Sequence, residues 1–150
     1  GNLALLARKG GDPESAVALY EQVLVTRQSI GDTWGVAGAQ CAAGACALEL
    51  GAAHAAQARA LLCDAVSTFA SVHDTLGVCE VLEAAVSGAG VLQLPPSVVD
   101  RWSQAAHSLR ALKGAHMEQG GGAVSVSRDV QTPVYSIEMM AEEVQRLLRV

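Results

Sequence analysis

Four cysteines and four histidines are the residues with which this 150-residue chain could hold a metal or attack a substrate. Structural zinc draws two ligands from a short spacing such as C-x-x-C, because one turn must bring both to a tetrahedral ion. Here the nearest pair, Cys41 and Cys46, is five residues apart. Cys63 and Cys79 stand alone, and all four fall on apolar helical faces, as reduced cysteines packed like small hydrophobes would. His54, His73, His107 and His116 lie near helix starts or on a helix, none at ligand spacing from a cysteine or carboxylate. A thiol nucleophile needs a base in reach and a turn that presents the sulfur. No strand-to-helix elbow or oxyanion-type glycine turn accompanies any of the cysteines. The glycine-rich "QGGGA" at 119–123 lacks the Lys-Ser/Thr that completes a phosphate-binding loop and reads as a linker. The carboxylate pair Glu142–Glu143 is expected on a solvent face as solubilising charge. These residues predict no catalytic centre, no metal and no cofactor.

Without a catalytic centre, the elements and the faces they present become the source of function. The formal net charge is −5 and the basic residues are scattered, which argues against a nucleic-acid surface built on clustered Lys and Arg. No uncharged apolar stretch has membrane-spanning length. The expected location is the cytoplasm. Hydrophobic residues make up 51% of the chain, yet it holds only two Trp, two Tyr and one Phe. Such Ala-, Val- and Leu-rich composition fits closely packed helices better than a sheet. The length fits one domain or a piece of a larger protein. The opening Gly1, followed at once by helical residues, is expected to continue a longer polypeptide or to follow a cleaved tag.

Helix signals recur along the chain. A partial helix spans Asn2 to Lys9. Asp12 is a good N-cap, Pro13 suits the first helical position, and Ala16, Leu19, Tyr20, Val23 and Leu24 repeat at helical period until Gly31. Asp32 and Thr33 cap a helix from about Trp34 to Leu50, ended by Gly51. The next runs from about His54 to Val72. Asp74 and Thr75 cap one reaching about Ala89, and "QLPPS" at 93–97 launches another. That makes six helices with short connections before residue 114.

Two of these starts echo one another. "IGDTWGV" at 30–36 returns as "VHDTLGV" at 72–78, with Asp, Thr, Gly and Val in register 42 residues on. The same offset aligns Ala16 with Ala58, Leu19 with Leu61 and Leu24 with Val66. A helix pair repeated at this period cannot bury its apolar face alone and must stack on its neighbours.

The run "NLALLARKGGDPESAVALYEQVL" resembles the tetratricopeptide repeat, through Leu3, the Gly11-Asp12 turn, Ala16, Tyr20 and Val23. Gly44, Gly51, Ala58 and Ala65 continue the likeness, which covers about residues 2 to 113. The period resembles the extended "GD" variety found in bacterial LuxR-type and antibiotic-regulatory activators and in LGN/Pins-like scaffolds. The family's first-helix Trp and Tyr and its closing Pro are absent. "QLPP" replaces the third Gly-Asp turn, as in a terminal repeat. The resemblance implies an all-α fold of about three antiparallel helical hairpins over 1–113, stacked as a short solenoid. It implies a concave face lined by Arg8, Lys9, Gly38, Cys41, Ala45, Glu49, Glu80, Glu83 and Ser87. Family members that clamp chaperone C-terminal tails use a Lys and Asn set. The matching places here carry Cys41, Ala45, Glu83 and Ser87, so no such binding is expected.

The remainder is expected to form a Gly-rich loop over 114–135 and an amphipathic helix over 136–150. Ser136 caps that helix, and Ile137, Met140, Ala141, Val144, Leu147 and Leu148 form its stripe. The stripe must be buried, on the end of the array or against another chain, the latter giving self-association. The leading function is a non-catalytic module that binds a protein or peptide in the groove. The alternative is a sensor region of a larger LuxR-type, ATPase-containing transcriptional regulator, contacting an effector or its own core.

Overall fold

The structure, a computed structural model, describes residues 12–118 and 135–149. Arg8, Lys9, the expected helix at 2–9 and most of the expected loop at 114–135 lie outside those residues. The described chain is all-helical, with no strand: α1 (Pro13–Ser29), α2 (Thr33–Glu49), a 3-10 turn (Ala52–His54), α3 (Ala55–Ser71), α4 (Thr75–Ser87), the single-turn α5 (Ala89–Leu92), α6 (Pro96–Glu118) and α7 (Ile137–Leu148).

The two echoed motifs build the same junction. Where α1 ends, Asp32 N donates to Arg27 O at 2.9 Å and Gly31 N to Gln28 O at 3.2 Å. Where α3 ends, Asp74 N donates to Phe69 O at 2.8 Å and His73 N to Ala70 O at 3.1 Å. Both are Schellman closures, with Gly31 (φ 73°) and His73 (φ 56°) in the left-handed region. The aspartate that closes one helix then opens the next. Asp32 Oδ1 accepts from Gly35 N at 2.9 Å and Asp74 Oδ1 from Gly77 N at 3.0 Å, satisfying an otherwise orphaned donor.

The echoed glycine also has a packing reason. A Cβ on Gly77 would stand 2.3 Å from Phe69 Cδ1, and one on Gly35 would stand 2.2 Å from Arg27 Nη1. Arg27 and Phe69 are themselves equivalent in the echo. In each copy, therefore, the last turn of one helix lies over the first turn of the next.

α2 packs against α1 and α3, α4 against α3 and α6, and α7 against α3. Small residues let α2 and α3 approach closely: at Gly44 a Cβ would sit 3.0 Å from Leu62 Cδ2. The main core gathers Leu62, Val66, Phe69, Val78, Leu82, Trp102 and, from α7, Met140, Val144 and Leu148. A smaller cluster joins Ala16, Val17 and Tyr20 of α1 to Ala43 and Cys46 of α2. The apolar stripe of α7 is thus buried within the chain. Each fully buried Leu or Val contributes about 1.5–3 kcal/mol of transfer free energy.

Three expectations are corrected. Glu143 is not on a solvent face. It is buried, and it accepts from Trp102 Nε1 at 2.9 Å and from Arg101 Nε at 3.0 Å, which ties α7 to α6. Glu142 alone is exposed. α4 stops at Ser87 rather than near Ala89, with Gly88 as its C-cap; that glycine lies against Leu48 of α2, where a Cβ would come within 2.6 Å of Leu48 Cδ1. The boundary expected at 113/114 falls inside α6, which continues to Glu118.

Candidate functional site

The N-capping aspartates start α2 and α4 alike, and the two helices pack directly on one another. Between them runs a line of three adjoining hollows. The first, of about 440 Å3, lies at the turn end and is bordered by Trp34, Gly38, Asp74, Leu76 and Glu80, with Tyr20 and Val23 of α1 at its side. The middle hollow, of about 250 Å3, is lined by Gly38, Cys41, Ala45, Glu80 and Glu83. The third, of about 440 Å3, is lined by Ala45, Leu48, Glu49, Glu83, Ser87 and Gly88. Gly38 and Glu80 border the first two, and Ala45 and Glu83 the last two, so the hollows form one groove.

The structure brings together seven of the nine residues expected on a concave face. Gly38, Cys41, Ala45 and Glu49 come from α2, and Glu80, Glu83 and Ser87 from α4. Their spacings of three and four residues keep each set on one helical face. No residue of α7 lines these hollows; α7 lies instead along a separate depression with α3.

The groove's floor is small and apolar, and its wall on the α4 side is acidic. Arg110 of α6 donates through Nε to both Glu83 oxygens, at 3.1 and 3.2 Å, and through Nη2 as well. That carboxylate in turn raises the Arg110 pKa further. Partial desolvation pushes the Glu80 carboxyl above the ordinary range. Arg110 counteracts this, while Asp74 and Glu83 add to it. Asp74 also accepts from the Trp34 indole at 2.6 Å, which bridges the two echoed junctions.

Two of the thiols, Cys63 and Cys79, are poorly disposed to nucleophilic work. Cys79 is buried with Sγ 3.6 Å from Ala106 O, and burial pushes its pKa up to about 11. Burial raises that of Cys63 as well. A thiol that stays protonated at neutral pH is a weak nucleophile and a weak ligand. The described residues hold no group of three or more His, Cys, Asp or Glu arranged for a metal ion. None of the described helices is long and apolar enough to cross a membrane. What the groove can do is exclude water from an apolar side chain and meet a cation at its acidic wall.

Sequence reasoning missed Trp34, Leu76 and Arg110. Trp34 and Leu76 are the variable letters of "DT-x-GV", the one sequence signal that marks them. Arg110 has no such signal, because its role depends on where α6 packs. Comparison with models of known families, with curated proteins and with solved structures found no match.

Proposed function

We propose that the chain is a non-catalytic protein-interaction module of tetratricopeptide-repeat type, whose stacked antiparallel hairpins dock a peptide or a neighbouring domain in the groove between α2 and α4. The observation that carries this reading is the groove's continuity. Seven residues at helical spacing line three merging hollows, while α7 is packed away from them. Docked segments take their affinity from apolar anchors in such hollows and their selectivity from charged rims. Glu83 in that wall is held by Arg110, and the Glu80 carboxylate beside it suits a ligand carrying a basic residue.

The test is selection of a displayed random-peptide library on the wild-type chain, followed by binding to the Ala45→Arg variant. Ala45 borders two of the hollows and is not fully buried. Selected peptides should lose at least about tenfold in affinity for the variant, as hot-spot losses do. They should also shift backbone amide resonances between Gly38 and Glu49. Peptides that bind both forms alike would exclude the groove.

A further inference from the structure

We propose that the α1–α2 and α3–α4 turns form a ledge at the groove's head whose occupant is a basic amphipathic helix of a partner protein. The ledge shares the first hollow and Glu80 with the groove, so the proposal deepens the groove reading, and it stands if the middle and third hollows bind nothing.

Four of the seven large hydrophobic side chains that the described residues expose lie at these two turns, in two equivalent pairs. Ile30 (72% exposed) matches Val72 (46%), and Trp34 (61%) matches Leu76 (39%). Isolated exposed hydrophobics are ordinary, whereas a cluster repeated at matching positions marks an interaction surface. Trp34 and Leu76 also flank the hollow of about 440 Å3 at the groove's head, which has room for a large apolar side chain.

Charge indicates what arrives there. Arg27 is held by Asp32 at 3.1 Å, so that pair is neutral. Asp74 and Glu80 remain as carboxylates without a cationic partner in hydrogen-bond reach among the described residues, giving the hollow's mouth a net negative charge. A partner bearing Lys or Arg beside its apolar anchors is complementary.

Backbone chemistry indicates its conformation. The amides of Gly35 and Gly77 already donate to Asp32 and Asp74, and the Trp34 indole donates to Asp74. An extended segment would find few partners on this ledge for its own amides and carbonyls, whereas a helix satisfies them internally. Spacing agrees. Neighbouring helices pack about 8–10 Å apart, and residues i and i+7 of a helix are separated by about 10.5 Å along its axis. A helix crossing α2 and α4 can therefore set one anchor beside Trp34 and the next beside Leu76. A Lys at i+3 or i+4 then faces Asp74 and Glu80.

The probe is a synthetic helix of about 18 residues, roughly 27 Å long, with Leu at i, i+7 and i+14 and Lys at the intervening positions of the same face. A control peptide carries Glu in place of each Lys. Trp34 reports directly, because Trp102 is fully buried and contributes a constant signal. Addition of the Lys peptide should shift tryptophan emission to the blue and saturate. The Glu peptide, and the Leu76→Asp variant with unchanged circular dichroism, should each weaken binding by about tenfold or more. Glu80→Gln should weaken it less and flatten its salt dependence. Ala45→Arg should leave it unchanged. The absence of a shift up to roughly 1 mM peptide, where even a complex worth about −4 kcal/mol is half formed, overturns the ledge. So does equal affinity for the two peptides. Loss of binding in Ala45→Arg but not in Leu76→Asp also overturns it and moves the contact to the groove floor.

Discussion

Replacing Glu143 by Ala tests how α7 is held. Its carboxylate is buried between two donors of unequal standing. The Trp102 indole is fully buried and donates at 2.9 Å, whereas the Arg101 side chain is 46% exposed and donates at 3.0 Å. When the carboxylate goes, Arg101 turns to water at little cost, as half-exposed ion pairs do. The indole N–H cannot, and an unsatisfied buried donor costs about 1–3 kcal/mol. With the lost charge-assisted bond, Glu143→Ala should cost about 2–4 kcal/mol. Unfolding entropy of about 2.1 cal/mol/K per residue gives about 0.3 kcal/mol/K for a chain of this length, so Tm should fall by about 6–13 °C. Arg101→Ala should cost under about 1 kcal/mol. Glu143→Gln should fall between, since its carboxamide oxygen can still accept from the indole. Thermal and urea unfolding followed by far-UV circular dichroism decides the matter. If Arg101→Ala costs as much as Glu143→Ala, or if both cost under about 1 kcal/mol, the buried Trp102–Glu143 bond is not what fastens the helix.

Gly77→Ala should destabilise the chain by about 1–3 kcal/mol in urea unfolding, since the new methyl would meet the buried Phe69 ring at 2.3 Å. Gly38→Ala, with nothing within 4 Å of the new Cβ, should instead stabilise it by about 0.5–1 kcal/mol through helix propensity. His73→Gly should raise stability by up to about 1 kcal/mol, because it removes a left-handed non-glycine residue (φ 56°) whose 3.6 Å contact with Glu138 is exposed; a loss of stability would show that contact to matter. Cys46, Cys63 and Cys79 are fully buried, so a thiol reagent at neutral pH should label none of these three until denaturant is added, whereas Cys41 borders the middle hollow and should be the first to react. Burial pushes the Cys79 pKa up to about 11 from an ordinary 9.0, so the stability this thiol contributes should be fully present below pH 9 and be lost as pH rises through 11. Cys79→Ala should remove that part of the alkaline decline.

The features legible in the sequence are those decided locally. Asp12, Asp32, Asp74 and Ser136 each accept from an amide three residues on, and each stands at the helix start its residue type predicts. The α7 stripe was legible for the same reason, since a period of 3.6 is set by the helix itself. The misreadings are tertiary. α4 ends at Gly88, a glycine that the sequence offers as a helix stop, but its close approach to Leu48 of another helix is visible only in the fold. Glu143 sits beside Met140 and Val144 on the inward face, yet a glutamate two residues from a helix's polar face reads as solvated until the Trp102 N–H is known to lie opposite. The groove residues followed from a resemblance together with helical spacing. Its apolar head did not, because exposure of Trp34 and Leu76 depends on what fails to cover them.

The glycines separate what the fold requires from what the groove requires. At Gly35, Gly44, Gly77 and Gly88 an added Cβ would lie 3.0 Å or less from a neighbouring atom, so packing within the chain accounts for each of them. At Gly38 an added Cβ meets nothing within 4 Å, and a mid-helix glycine sacrifices about 1 kcal/mol of helix propensity. The fold therefore supplies no reason for Gly38 and carries a cost for keeping it. Its position supplies one: Gly38 borders both the first and the middle hollow, so any side chain there would project into the groove. Gly38 thus weakens its helix while leaving the depression at the first and middle hollows open, which is what the proposed docking of a side chain there would require.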